Sequence, residues 1–537
     1  MKSKFKASAL GAIVLCLSAC GSDTDAPKPV PIDKLTWSEC TTPDNPTYPY
    51  FQGFKCSSIT VPIDYSRPIG SDNQISLSLI KRPANNPKSS LGVLMINFGG
   101  PWGEDVLTLP RWARASEQRI LDNFDLVSFD PRGTGANAVP CDTPNFTKIL
   151  ALNLDTDESV GSLVDLTTED AQTCSKERAA ISSQNIATSV TVQDVESIRQ
   201  AIGADQINFV GYSYGTLLGS MYLSKYPRKV RAMVLDANMH PKNDYKNLLK
   251  TGAPAVDDIV AEFFNQCSKK DINSNCALSE NPQAIYNQAM KNGTTPSSIS
   301  ITDVPASVFT PGSGFIRSMI LGSIKITRPA TSGDNHWFLS PSNQWPALAN
   351  GIAEVATSHK ADLFYSMMTG GEPDPSVPVA SDTGDLGNAV RCADYGNHYT
   401  DKDDIIKSAA IARSSNPLLG GYFFAKSAVA CIGWPASEKT QFKSIDLPNN
   451  QVPVLIVSSK QDSDAAPAWS SAMHDAIGNS QLLVWGGAGH TAYIGNEQPA
   501  HCVEDKVNDL LIGLKTPAAK ISACNDVPNP FASSVTQ

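Results

Sequence analysis

Residues 207–219 read Ile-Asn-Phe-Val-Gly-Tyr-Ser-Tyr-Gly-Thr-Leu-Leu-Gly, and no other stretch of the 537-residue chain restricts its fold so tightly. An apolar run, Ile207 to Val210, stops at Gly211, and an amphipathic segment begins after Gly215. Leu217 pairs with Met221, and Leu218 with Tyr222, at i,i+4 spacing until Pro227 ends the helix. A strand must therefore become a helix between Gly211 and Gly215. Side chains two positions either side of Ser213 would collide in so tight a turn, and both places hold glycine. The strained backbone of such a turn holds the serine hydroxyl clear of the sheet, at the positive end of the next helix. Gly-x-Ser-x-Gly in a strand–turn–helix setting is the arrangement of a nucleophile elbow.

Strand and helix patterns alternate around this stretch. Ser58–Tyr65 and Gln74–Lys81 read as two early strands, and Leu91–Phe98 is nearly continuous in apolar residues, as a strand buried on both faces should be. That run leads into Gly99-Gly100-Pro101-Trp102-Gly103, where glycines let backbone N–H groups approach a ligand closely. Residues 104–119 are predicted helical, and Phe124–Phe129 is a strand ending in Asp130-Pro-Arg-Gly-Thr-Gly135. Residues 136–190 are polar and carry little pattern. Thr191–Ile202 sets Val192, Val195, Ile198 and Ile202 on one helical face, closed by Gly203. Val230–Asp236 is a further buried strand. From Met239 the pattern changes to mixed helical segments and loops, and parallel-strand patterning resumes at Val452–Val457. A short strand, Gln481–Trp485, precedes Gly486-Gly-Ala-Gly-His490, and residues 503–514 suit a final helix. The alternation implies βαβ units, a mainly parallel sheet with flanking helices, and an α/β fold. One core interrupted by an insertion explains the break better than two domains in series. The expected organisation is a first core part at 35–238, a large, mostly helical inserted lid at 239–445, and a second core part at 446–537.

The amino terminus reads as a targeting segment. Lys2, Lys4 and Lys6 precede the apolar stretch Ala7–Leu17, which is too short to span a bilayer. Leu17-Ser18-Ala19-Cys20 resembles the lipobox of bacterial lipoproteins. That resemblance implies removal of residues 1–19, lipidation of Cys20, and attachment to a bacterial cell-envelope membrane, facing the periplasm or the exterior. Residues 20–34, rich in Ser, Asp and Pro, then form a flexible tether. Ten cysteines remain beyond Cys16 and Cys20, and an even number in an exported chain points to disulfides. Sequence order suggests Cys40–Cys56, Cys141–Cys174, Cys267–Cys276, Cys392–Cys431 and Cys502–Cys524. None of them lies in a C-x-x-C or Cys/His ligand pattern, so no metal site is expected. A net charge of −10, with no basic stripe, argues against a nucleic-acid partner.

A serine hydroxyl is a poor nucleophile until a base takes its proton, and the base needs an orienting carboxylate. In a fold that carries an elbow the chain order is Ser, then acid, then His. Downstream of Ser213 one place offers this order: Asp462 follows the Val452–Val457 strand, and His490 follows the strand ending at Trp485. Asp464 sits on the same loop as Asp462, and order alone does not separate the two. Oxyanion donors are expected at the backbone N–H of Tyr214 and in the Gly99–Trp102 loop around Gly100.

Gly99-Gly-Pro-Trp-Gly, Asp130-Pro-Arg-Gly-Thr-Gly, Gly211-Tyr-Ser-Tyr-Gly-Thr and the Asp462 and His490 blocks together resemble the prolyl-iminopeptidase-related α/β-hydrolases. The resemblance is greatest to the secreted tripeptidyl aminopeptidases, which Ala389-Val-Arg-Cys-Ala-Asp394 also resembles. It spans most of residues 37–525. It implies the α/β-hydrolase fold, peptide substrates, no cofactor, and the family acid at Asp462. Two departures stand out: Trp102 replaces the last glycine of the family's Gly-Gly-Pro-Gly loop, and the loop after Asp462 is one residue longer before Pro467. The expected activity is release of short peptides from free N-termini through an acyl-enzyme on Ser213. A carboxylesterase or lipase with the same triad is the alternative; a non-enzymatic envelope binding protein is a third class, against which the triad weighs. An aminopeptidase needs a carboxylate for the substrate's α-ammonium. Asp394 is a candidate by resemblance, and Glu104 and Asp105 by closeness to the Gly99 loop, where Trp102 would shape the pocket.

Overall fold

Ten strands form one sheet among the residues that the computed structural model describes, which are 35–40, 51–101, 105–135, 143–177, 183–269, 275–294, 298–306, 309–325, 344–369, 384–396, 398–399, 401–435, 441–494, 501–527 and 529–531. In chain order they are β1 (Ser38–Glu39), β2 (Lys55–Val61), β3 (Ile75–Arg82), β4 (Val93–Asn97), β5 (Asp125–Phe129), β6 (Ile207–Tyr212), β7 (Val230–Asp236), β8 (Val454–Gln461), β9 (Ser480–Ala488) and β10 (Ile521–Cys524). Their order across the sheet is β1-β2-β3-β5-β4-β6-β7-β8-β9-β10. The contacts β1–β2, β2–β3 and β3–β5 are antiparallel, and every later pairing is parallel. Strand order reverses at β4, which lies between β5 and β6, and a crevice opens beyond the carboxyl ends of strands at such a point. The Gly99 loop leaves β4 there and the elbow leaves β6 beside it.

The central strands are apolar because helices cover both faces. β4 and β6 are buried throughout, with Leu94, Ile96 and Val210 facing one layer and Met95, Ile207 and Phe209 the other. Trp112, Leu109 and Leu510 fill the first layer, and Val195, Ile198 and Leu218 the second. Emptying one such site, as in Leu94→Ala, costs about 2–5 kcal/mol. The Asp130-Pro-Arg-Gly turn is structural. Arg132 is buried and makes a two-point ion pair with Asp194, at 2.6 and 2.8 Å, tying the end of β5 to the helix Thr188–Ile202 that precedes the elbow strand.

A third apolar cluster lies at the carboxyl edge of the sheet. It combines Val256, Ile259 and Phe263 of the helix Tyr245–Cys267 with Ile316 and Ile320 of the helix Ser313–Ile324 and Phe424 of the helix Gly420–Ala428. Leu150 and Val160 join the same cluster from the helices Phe146–Ala151 and Asp157–Glu177. The cluster therefore combines the segment expected to form the lid with a second segment, between β5 and β6, from the part expected to belong to the core. Predicted strands and helices otherwise fall within a few residues of their observed places. Exceptions are residues 104–119, which divide into Asp105–Ala115 and Gln118–Asn123, and the short edge strands β1 and β10, which the sequence pattern does not predict. Gly203 is left-handed, as its place after Ile202 requires. Disulfides join Cys40–Cys56, Cys267–Cys276, Cys392–Cys431 and Cys502–Cys524. Cys174 is also disulfide-bonded, while Cys141 lies outside the described residues. Residues 1–34, with Cys20, lie outside them too, and no described helix is long and apolar enough to cross a membrane.

Candidate active site

Ser213 has φ 53° and ψ −121°, a backbone conformation that costs on the order of 1–3 kcal/mol in a non-glycine residue. The neighbouring glycines explain how it is tolerated. A Cβ on Gly211 would lie 2.3 Å from the carbonyl oxygen of Gly215, and one on Gly215 would lie 2.5 Å from Oδ1 of Asn97. The side chain of Ser213 is partly exposed at the start of the helix Tyr214–Lys225.

The Gly99 loop packs directly on this turn. Gly99 and Gly100 have φ of 91° and 103°, and a Cβ on Gly99 would come within 2.5 Å of the Tyr212 carbonyl. Beneath the loop, Asn97 accepts from the Gly99 N–H at 3.3 Å and donates to Asp105 at 2.7 Å. Asp105 is fully buried, and burial, helped by nearby Asp130, pushes its carboxyl well above the usual range. Asp105 therefore holds the loop from below, and it is not among the described residues that line the cavity before Ser213. Trp102 and Glu104 lie outside the described residues. Gly100 and Tyr214 both line the cavity in front of Ser213.

Asp462 follows β8 and His490 follows β9. Nδ1 of His490 lies 3.0 and 2.9 Å from the two carboxylate oxygens of Asp462, so that ring nitrogen donates and Nε2 is left to accept. Asp462 is buried and also accepts from the backbone N–H of Asp464 and Ala465, at 2.8 and 3.0 Å. Burial pulls the pKa of His490 down, but Asp462 and then Asp464 more than offset this, and the ring sits above its ordinary 6.5. Asp464, two residues on, turns away and pairs with Lys325 at 2.6 Å. Burial would raise its carboxyl, but Lys325, His490 and Arg391 hold it below the usual range.

Asp236, the last residue of β7, brings the elbow and the histidine loop together. Its carbonyl accepts from the Ser213 N–H at 2.9 Å, and its carboxylate accepts from Ala492 and Tyr493, each at 2.8 Å. Burial raises this carboxyl to about 6. An acid at the end of a buried strand was the available sequence signal for Asp236, as was a polar Asn97 ending an apolar run. Nothing in the sequence marked Lys325 or Thr188, whereas Arg391 lies within the Ala389–Asp394 block that carried the resemblance.

The cavity before Ser213 has a volume of about 190 Å3. Its lining combines apolar Leu248, Leu249, Phe423 and Trp469 with ionisable Arg391, Asp394 and Asp464. Asp394 accepts from the N–H and hydroxyl of Thr188 at 2.7 and 2.6 Å, and burial raises its carboxyl to about 7. The Thr188 hydroxyl also meets the phenol of Tyr214, so a lid acid is linked to the elbow.

Comparisons with known proteins agree with this architecture. A family model described as "alpha/beta hydrolase fold" matches residues 108–279, and one described as "TAP-like protein" matches residues 416–524. Serine protease Hip1 of Mycobacterium tuberculosis is 27% identical over 523 residues, covering 95% of each chain. Tripeptidyl aminopeptidase of Streptomyces lividans is 25% identical over 520 residues, covering 92% of this chain and 88% of that one. Carboxylesterase B of M. tuberculosis is 30% identical over 193 residues, about a third of either chain (35% and 36%). Sheet order, elbow and family models together make this chain an α/β-hydrolase with a TAP-like region towards its carboxyl end.

Proposed function

We propose that this hydrolytic enzyme is an envelope-anchored aminopeptidase that releases short peptides from free N-termini. Ser213 attacks the scissile carbonyl, and Nε2 of His490 takes its proton and passes it to the leaving amine. Asp462 fixes the ring and stabilises the imidazolium, while the N–H groups of Tyr214 and Gly100 receive the oxyanion. The lipobox-like Cys20 provides the anchor. The observation that carries the reading is an acid enclosed in the cavity: burial raises the Asp394 carboxyl to about 7, and a substrate ammonium beside it would favour its ionised form. The full-length likeness to a tripeptidyl aminopeptidase supports it.

Removing one partner of such a desolvated charge pair costs about 2–5 kcal/mol. Acetylating the substrate's α-amine is therefore expected to lower kcat/KM at least about tenfold, since a decade corresponds to about 1.4 kcal/mol. Ser213→Ala is expected to abolish labelling by a fluorophosphonate while the protein stays folded. The apolar part of the lining, and the partial likeness to a carboxylesterase, favour an esterase as the second reading. Equal turnover of free and acetylated peptides, with faster cleavage of a short-chain ester, would select it.

A further inference from the structure

The last carbonyls of a helix have no partner within the helix and must find one elsewhere. At the end of the lid helix Ser313–Ile324 the partners are unusual. The carbonyl of Ile324 accepts from the indole of Trp345 at 2.8 Å, and that of Lys325 accepts from the backbone N–H of His490 at 2.9 Å. The same residue's ammonium reaches Asp464 at 2.6 Å, with both side chains mostly buried. Asp464 in turn donates its N–H to Asp462, the residue that orients His490. A cation also suits the negative end of a helix, which favours lysine at this place.

We infer that Lys325 is a positioning residue for the hydrolytic reaction: through its carbonyl and its ammonium, the lid fixes the histidine loop and the acid loop relative to each other. The lid then takes part in holding the base in place, in addition to roofing the substrate. The proposal rests on the reading of Ser213, His490 and Asp462 as the reacting groups. Its electrostatic signature follows from the charges that face His490, which are Asp462, Asp464, Asp236 and Lys325. Removing Lys325 takes away a positive neighbour and leaves Asp464 unbalanced, so the imidazole should hold its proton to higher pH. Removing the Asp464 charge should do the opposite.

The test uses the full-length protein and a small fluorophosphonate, whose reaction with serine does not depend on filling the substrate cavity. The second-order labelling rate is measured against pH for the wild type, Lys325→Met, Lys325→Arg, Asp464→Asn and the double variant Lys325→Met/Asp464→Asn. Lys325→Met is expected to lower the plateau rate at least about fivefold and to raise the midpoint by roughly half a pH unit. Lys325→Arg should recover most of the rate. Asp464→Asn should lower the rate and shift the midpoint down, and the double variant should return the midpoint towards the wild type while its rate stays low. A side chain that only stabilised the lid would change the melting temperature and leave the midpoint where it was. Unchanged rate and midpoint in Lys325→Met would overturn the inference. Should that variant not fold, the same null result in Asp464→Asn overturns it, because it breaks the same bridge from the other side. Continued labelling of Ser213→Ala would instead sink the nucleophile assignment, a result separate from these.

Discussion

Asp462 and Asp464 are separated by a single serine, yet their side chains do different things. Asp462 is buried against His490, and Asp464 is turned to Lys325 and the cavity. The choice between them was not legible in chain order, because it is made by two backbone N–H groups that hold Asp462 in place. Asp462→Asn should lower kcat by about three to four orders of magnitude with the protein still folded. Asp464→Asn should lose far less, and the reverse ranking would move the orienting role to Asp464. The pH dependence has a definite sign. The base must be neutral to accept the serine proton, and the folded ring holds its proton above pH 6.5. Activity should therefore rise with pH through a midpoint above 6.5, read as the acid limb of the kcat/KM profile. A midpoint below 6.5 would mean that burial outweighs the two aspartates.

Elements with a clear period were legible, and those without it were not. β4, β6, β7 and β8 were visible because strands covered on both faces must be nearly all apolar. β10 escaped because it is a short edge strand, and its Ile521 and Ala523 are exposed. The helix Asp157–Glu177 escaped because its buried Val160 and Leu163 are diluted by polar residues on its other faces. Nor could periodicity reveal that the end of β7 clamps two other segments. Asp236→Ala would strand two buried backbone donors, at about 1–3 kcal/mol each, and loosen the elbow and the histidine loop together. Urea unfolding should show a clear loss of stability, with kcat falling in the same variant. Asp236→Asn keeps an acceptor and should retain much of both. Equal damage from the two substitutions would mean that the negative charge, and not the acceptor geometry, matters there.

At the carboxyl edge of the sheet stand Ser213, Asp462 and His490, and the apolar cluster beside that edge is stitched from two stretches of chain. Disulfides brace that arrangement within the lid and along the outer strands. Mass spectrometry under non-reducing conditions should find no free thiol among Cys40 to Cys524, with Cys141 joined to Cys174. Two or more free thiols in protein isolated from its native envelope would contradict the export reading. The order in which the chain is threaded has a separate consequence. Ser213 is translated before most of the lid, whereas Asp462 and His490 come after it, on the two loops that follow β8 and β9. During synthesis the elbow can form while its base is still unmade. A copy cut short ahead of β9 would lack His490, and with it the base that the proposed mechanism needs. On that mechanism, reactivity would be the last property the growing chain acquires.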